Sequence, residues 1–195
     1  MTTFQKAIVA IGASMCVGAI PAYAQSAAPA NDDFAKRSSE IHWPAGYAPK
    51  DADLFAHNEL SINASCGTVW KHIVEATKWP EWYPNAHDVK ITNNQTGLLQ
   101  LNSQFQWSTF GHQVESQIHE FVPTSRVGWF GKAPDINAYH TWFLAPAAND
   151  GCQVVTEEVV KGPGAIKVRN ADPNRMHKGH DLWLAKLKLV SEKRT

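Results

Sequence analysis

The chain has 195 residues, with 18 Lys plus Arg against 18 Asp plus Glu and 44% hydrophobic residues. A near-neutral chain without a basic cluster is a poor match for nucleic acid or for electrostatic attachment to an anionic membrane. No segment reaches the roughly 18–20 apolar residues of a membrane span, and the length suits one domain with a sizeable core.

The first 24 residues read as a secretory leader. Lys6 supplies the positive charge, Ala7 to Ile20 an apolar stretch, and Ala22-Tyr23-Ala24 a small-x-small cleavage site. A short leader of this form leans towards the bacterial periplasm. Residues 25–53 carry Ala, Pro, Asn and Asp without a sustained period, and are expected to be irregular and partly mobile, with Trp43 and Tyr47 available to dock on the body. His42 beside Trp43 suits surface packing better than a binding mouth.

Leu54 to Ile62 alternates. Leu54, Ala56, Leu60 and Ile62 share one face, Phe55, His57, Glu59 and Ser61 the other, and Asn58 interrupts the pattern. Ser65 is placed to cap a helix whose apolar face is Val69, Trp70, Ile73 and Ala76. Pro80 is expected to stop that helix, leaving Trp82, Tyr83 and Pro84 as an aromatic knot. Alternation then predicts strands through His87, Val89 and Ile91, through Phe105 and Trp107, and through Val114, Ser116 and Ile118 opposite Gln113, Glu115, Gln117 and His119. Further strands run through Val127 and Trp129, and from Ala138 to Leu144 with His140, Trp142 and Leu144 on one side. The last runs from Cys152 to Lys161 and is broken by Gly162-Pro163-Gly164. From about Pro173 the period changes to helical, with Met176, Trp183, Leu187 and Val190 on one stripe. The order of elements indicates an α+β fold.

In an oxidising compartment the pair Cys66 and Cys152 suggests a disulfide; two buried free thiols are the alternative. Asn63-Ala64-Ser65 and Asn94-Gln95-Thr96 match glycosylation sequons, which matter only in a eukaryotic secretory host. No nucleophile elbow, phosphate loop, dinucleotide turn or H-E-x-x-H motif is present, and no cofactor is expected. His177 and His180 are spaced for two metal ligands on a helix but lack a third, so a solvated helix face, with no metal, is the expected role. Glu157-Glu158 places one carboxylate on each sheet face, with the inward one undecided. His87, His112 and His140 share parity with apolar neighbours and can point inward.

From about Leu54 to Lys193 the chain resembles the START and polyketide cyclase/dehydrase superfamily of helix-grip proteins. The resemblance is carried by Val69-Trp70, Trp79-Pro80-Glu81-Trp82-Tyr83-Pro84, His140-x-Trp142-x-Leu144, Asp150-Gly151 and Gly179-His180-x-x-Trp183-Leu184. It implies a seven-stranded antiparallel sheet curled around a long C-terminal helix, two short helices after the first strand, and an apolar cavity between sheet and helix. It also implies that the first and last strands pair, which would bring Cys66 towards Cys152.

The function this implies is an exported protein holding an apolar or aromatic small molecule, lipid or polyketide-like. The candidate contacts are Trp70, Trp82, Phe105, Trp107, Trp129, His140, Trp142 and Trp183; the competing possibility is that the tryptophans fill a solid core. An acid–base enzyme of cyclase, dehydratase or hydrolase type is the first alternative, with His140 and His112 or a glutamate as its groups. A surface row of exposed aromatics that binds sugar or protein is the second.

Overall fold

The computed structural model describes residues 32–193. The leader and its cleavage site lie outside them. Seven strands form one antiparallel sheet: β1 (Leu54–Ile62), β2 (His87–Ile91), β3 (Gln104–Thr109), β4 (His112–Val122), β5 (Arg126–Ala133), β6 (Ile136–Pro146) and β7 (Cys152–Lys161). Their spatial order is β1-β7-β6-β5-β4-β3-β2, so the first and last strands meet and the meander β2 to β6 completes the sheet. The helices are α1 (Asp33–Lys36), α2 (Cys66–Val74), α3 (Trp79–Trp82), α4 (Pro163–Ala171) and α5 (Arg175–Ser191). Among the described residues no helix is long and apolar enough to cross a membrane.

The Ser65 hydroxyl accepts from the Thr68 N–H and so starts α2, whose Val69, Trp70, Ile73 and Val74 are buried. Pro80 does not end that helix. α2 has already closed at Val74, and Pro80 sits in the first turn of α3, where its missing N–H costs nothing and its fixed φ favours a helix. α4 was not expected: Gly162 at φ 110° turns the chain, and Pro163 then opens a helix. A side chain on Gly162 would meet the carbonyl oxygen of Asp135 at 2.5 Å, so only glycine fits.

The inner face of the sheet meets α2, α3 and α5. Its centre is aromatic. Trp79 lies 5.3–5.9 Å, ring to ring, from Phe105, Trp107, Trp129 and Trp183. Tyr83 stacks on Trp183 at 4.4 Å. Asn58 turns out to fasten α5, donating to the Asp181 carboxylate at 2.8 Å and to the His177 carbonyl at 3.1 Å.

The outer face is also covered, which explains why Ala138 to Trp142 are buried without alternation. Residues 32–53 lie across it. Trp43 packs on Phe55 and Tyr139, Tyr47 on Phe130 and Tyr139, and Phe34 on Phe55. Beneath this segment the buried Glu157 carboxylate pairs with His57 at 2.7 Å and accepts the Ser38 N–H at 2.5 Å. The exposed His42 ring pairs with Glu120 at 2.9 Å, away from the interior.

Cys66, the first residue of α2, and Cys152, the first of β7, are joined by a disulfide, with Cα atoms 4.9 Å apart. The β1–β7 register places Ile62 opposite Cys152, four residues before Cys66. Among the described residues an exposed row of aromatics does not form: six of the eight tryptophans are buried.

Candidate functional site

At the end of the domain away from the disulfide, α4, the first turns of α5 and the sheet enclose a cavity of about 100 Å³. Leu54, Val114, Ile136, Ala138, Val160 and Met176 make much of its wall apolar, with Trp107, Trp129 and Trp183 at its inner end. The polar groups are few: His140, Glu158 and His180 inside, and His112, Thr109 and Arg175 towards the opening. Thr109, Phe110 and Arg175 also line an adjoining surface groove, which marks the mouth.

Sheet register assembles the polar cluster. His140 on β6 and Glu158 on β7 are cross-strand partners, so both point to the inner face, while Glu157 points outward. His180 lies one turn beyond Met176 on the buried stripe that continues to Trp183, Leu184 and Leu187. It is 1% exposed, not solvated. The four-residue step from Met176 was the available signal, since a helix repeats its face at that spacing.

Hydrogen bonds define the chemistry. The Thr156 hydroxyl donates to the Thr141 carbonyl at 3.1 Å, so its lone pairs receive the Nε2–H of His140 at 2.8 Å. His140 Nδ1 is then the bare nitrogen, and it faces Glu158 Oε2 at 4.0 Å. His180 Nε2 donates to the same Oε2 at 3.1 Å, and the two imidazoles stack at 4.7 Å. His180 Nδ1 is buried and has no hydrogen-bond partner among the described residues.

Burial holds the His140 imidazole far below its ordinary value, at about 3; Glu158 opposes this and His180 adds to it. Burial alone would lift the Glu158 carboxyl, but His140 and the bond and charge of His180 outweigh it and leave it below its ordinary value. A neutral His140 brings Glu158 no net charge, so the bond from His180 carries that effect. His140 is therefore neutral at pH 7 and a weak base, whereas Glu158 and His180 stand within hydrogen-bond reach of each other.

A pH dependence of stability follows. Below about pH 6.5 an unfolded chain takes up a proton at His140 that the folded chain refuses, so stability falls as pH drops from there towards 3. Glu158 acts in the same direction below 4.5, its ordinary value. In chelator-treated protein the unfolding free energy should decline by up to about 1.4 kcal/mol per pH unit for this one proton. Urea midpoints between pH 7.5 and 5 read it, and His140→Gln should flatten the slope. An unchanged slope in that variant would place the effect elsewhere.

Of the residues expected at a ligand, Trp107, Trp129, His140 and Trp183 line the cavity. Phe105 and Trp142 are buried behind them; Trp142 backs the His140 ring at 5.4 Å. Trp70 packs on Phe121 beside α2, and the half-buried Trp82 lies against His72 and Tyr83, both away from the cavity. Phe105, Trp142 and Trp70 belong to the solid part of the interior, with Trp82 at its edge, because α2 and α3 fill the sheet's concave face at that end. His112 lines the cavity near the β3–β4 turn, and no hydrogen bond joins it to His140 among the described residues. His87 is exposed: a register shift in β2 and the positive φ of Asp88 turn that strand's end outward. His177 bonds Asp33 at 3.0 Å, apart from the cluster.

The mouth is latched. Arg175 donates to the Phe110 carbonyl at 3.0 Å, and the Phe110 ring lies on Gly179, where a Cβ would sit 2.1 Å from Cζ. Gly179→Ala should displace that ring, at a cost of about 1–3 kcal/mol, and enlarge the opening. Faster acrylamide quenching of the cavity tryptophans would report it; unchanged quenching would mean that the ring does not guard the mouth.

Residues 56–192 match the family described as polyketide cyclase / dehydrase and lipid transport. No curated protein matches the chain in sequence. Among solved structures, a hypothetical protein from Helicobacter pylori is 27% identical with a TM-score of 0.74, over 80% of this chain and 98% of that one. An aromatase/cyclase from Streptomyces sp. R1128 has a TM-score of 0.60 at 12% identity, covering 72% of this chain and 94% of its own. Norcoclaurine synthase from Thalictrum flavum has a TM-score of 0.56 at 16% identity, again over 72% and 94%. These two share the fold alone. Since the match spans residues 56–192, from within β1 to the end of α5 and so over the sheet and the helix that enclose the cavity, the chain belongs to the polyketide cyclase / dehydrase and lipid transport family, with the helix-grip fold.

Proposed function

We propose that this protein is exported and binds one small apolar or aromatic molecule whose single polar group meets Glu158 and His180. The observation that carries this is an apolar cavity with one buried polar cluster inside it. Ligand sites have that composition: area removed from water supplies affinity and a few polar groups set orientation. The volume, about 100 Å³, is nearer to that of a site for one aromatic ring than to the roughly 300–1,000 Å³ of drug-sized pockets. A lipid chain or fused-ring polyketide would need Phe110 to swing away. Export is supported by the leader sequence and by a disulfide, which persists in oxidising compartments.

Native mass spectrometry of mature protein from its own compartment, together with a fluorescence titration, tests the reading. Phenol and indole should quench Trp107, Trp129 and Trp183 saturably, with a dissociation constant of about 1 mM or tighter, given roughly 25 cal/mol for each Å² buried. Longer alkyl chains should bind better to Phe110→Ala. Absence of saturable quenching in both forms, with no retained mass, would remove the proposal.

A second reading is favoured by the 3.1 Å contact between His180 and Glu158 inside the cavity: an acid–base enzyme acting on the bound molecule. Glu158→Gln separates the two. Loss of turnover with affinity retained would indicate the enzyme; binding without turnover in the native protein would indicate the carrier.

A further inference from the structure

The polar cluster contains an opposition that hydrogen bonding leaves unresolved. The Thr156–Thr141 chain commits the His140 proton to Nε2, so a bare nitrogen faces a carboxylate oxygen at 4.0 Å. Two electron-rich atoms turned towards each other in an apolar enclosure repel, unless a positive centre lies between them. Among the described residues the Glu158 oxygen receives one imidazole N–H in compensation.

We propose that His140, Glu158 and His180 bind one divalent first-row transition ion, such as zinc, with an open coordination position facing the apolar cavity. One ligand atom from each residue lies within 4.8 Å of the other two. Bonds of about 2.0–2.2 Å to a shared ion require donor atoms roughly 3–3.5 Å apart, so small side-chain rotations complete the site. His180 Nε2 and Glu158 Oε2, 3.1 Å apart, already have that separation. On binding, the ion takes the Nε2 position of His180 and the ring keeps one proton, at Nδ1, any second proton leaving to solvent.

Two imidazoles and one carboxylate suit zinc, cobalt or nickel rather than calcium or magnesium, which take oxygen ligands. Three protein ligands leave room for a fourth, as in reactive rather than purely structural zinc sites. Glu158 keeps its 17% exposure towards the cavity, so that position meets whatever occupies it. The protein charge at the site sums to +1 with the ion bound, which favours an anionic oxygen from the ligand or from water. Thr156 is a positioning residue: it holds His140 in the tautomer that exposes Nδ1. The site stands whether or not the cavity takes an apolar molecule.

The test uses mature protein stripped with EDTA and titrated with zinc by calorimetry at pH 7.5. One ion per chain should bind with a dissociation constant of about 1 μM or tighter, and cobalt should give visible d–d absorption that zinc abolishes. Glu158→Gln and His180→Gln should each weaken zinc at least about 100-fold, and Thr156→Val about 10- to 100-fold. His177→Ala should change nothing, since its ring bonds Asp33 elsewhere. Near-UV circular dichroism in EDTA confirms that each variant is folded, and phenol quenching of the unsubstituted protein in EDTA keeps the cavity reading separate. Absence of stoichiometric binding, or binding that survives Glu158→Gln and His180→Gln, would overturn the site.

Discussion

Trp79→Ala is expected to cost about 5 kcal/mol, the upper end for a buried tryptophan. The residue is fully buried and its ring contacts four other aromatic rings drawn from β3, β5 and α5. Its removal leaves a cavity bounded by rigid rings that cannot collapse inward. A second loss adds to this: Trp79 Nε1 donates to the Ile73 carbonyl at 3.0 Å, one of the acceptors that α2 leaves unmatched at its C-terminal end. The change should lower the melting temperature by roughly 10–20 °C at about 2–4 °C per kcal/mol. Chemical denaturation followed by far-UV circular dichroism measures it, with the half-buried Trp82→Ala as a control near 1 kcal/mol. A Trp79→Ala cost below about 2 kcal/mol would mean that the aromatic centre is not what holds α3 and α5 to the sheet.

Removing the Cys66–Cys152 bridge should cost about 3–5 kcal/mol. The two residues are 86 positions apart, and closing a loop of that length removes entropy from the unfolded chain worth up to about 4–5 kcal/mol. The native state has no comparable loss to suffer, because β1 and β7 remain paired through nine register positions without the bridge. A reduced protein should therefore keep its fold and its cavity while its denaturant midpoint drops. A Cys66→Ala/Cys152→Ala variant should match the reduced wild type. In protein without the leader and its Cys16, mass analysis after alkylation should show two added groups only when reductant is present. Two alkylated thiols without reductant, or an unchanged midpoint, would contradict the expectation.

Local periodicity determined most of the secondary structure from the sequence alone. The alternation of Leu54 to Ile62 and of Gln113 to His119 corresponds to β1 and β4, because side chains on a strand repeat every second residue whatever the strand packs against. The stripe from Met176 to Leu187 corresponds to α5 for the matching reason at helical spacing. α4 was not legible: Gly162-Pro163-Gly164 reads as a break, and only its packing of Ala165 under β6 and β7 makes it a helix that closes the cavity.

The site depended on tertiary structure. Alternation puts Glu157 and Glu158 on opposite faces but does not say which face is inner; the β6–β7 register decides it, by opposing Glu158 to His140. Burial of the outer face under residues 32–53 then removes the usual polar signature, so Glu157 and His57 are even more hidden than Glu158. Eight aromatic and histidine positions looked alike as cavity contacts because composition carries no depth. α2 and α3 fill one end of the curled sheet, leaving Phe105 and Trp142 in solid core and Trp107, Trp129 and Trp183 at the cavity. The meeting of His140, Glu158 and His180 joins residues from two strands and a helix, and only the closed fold brings them together.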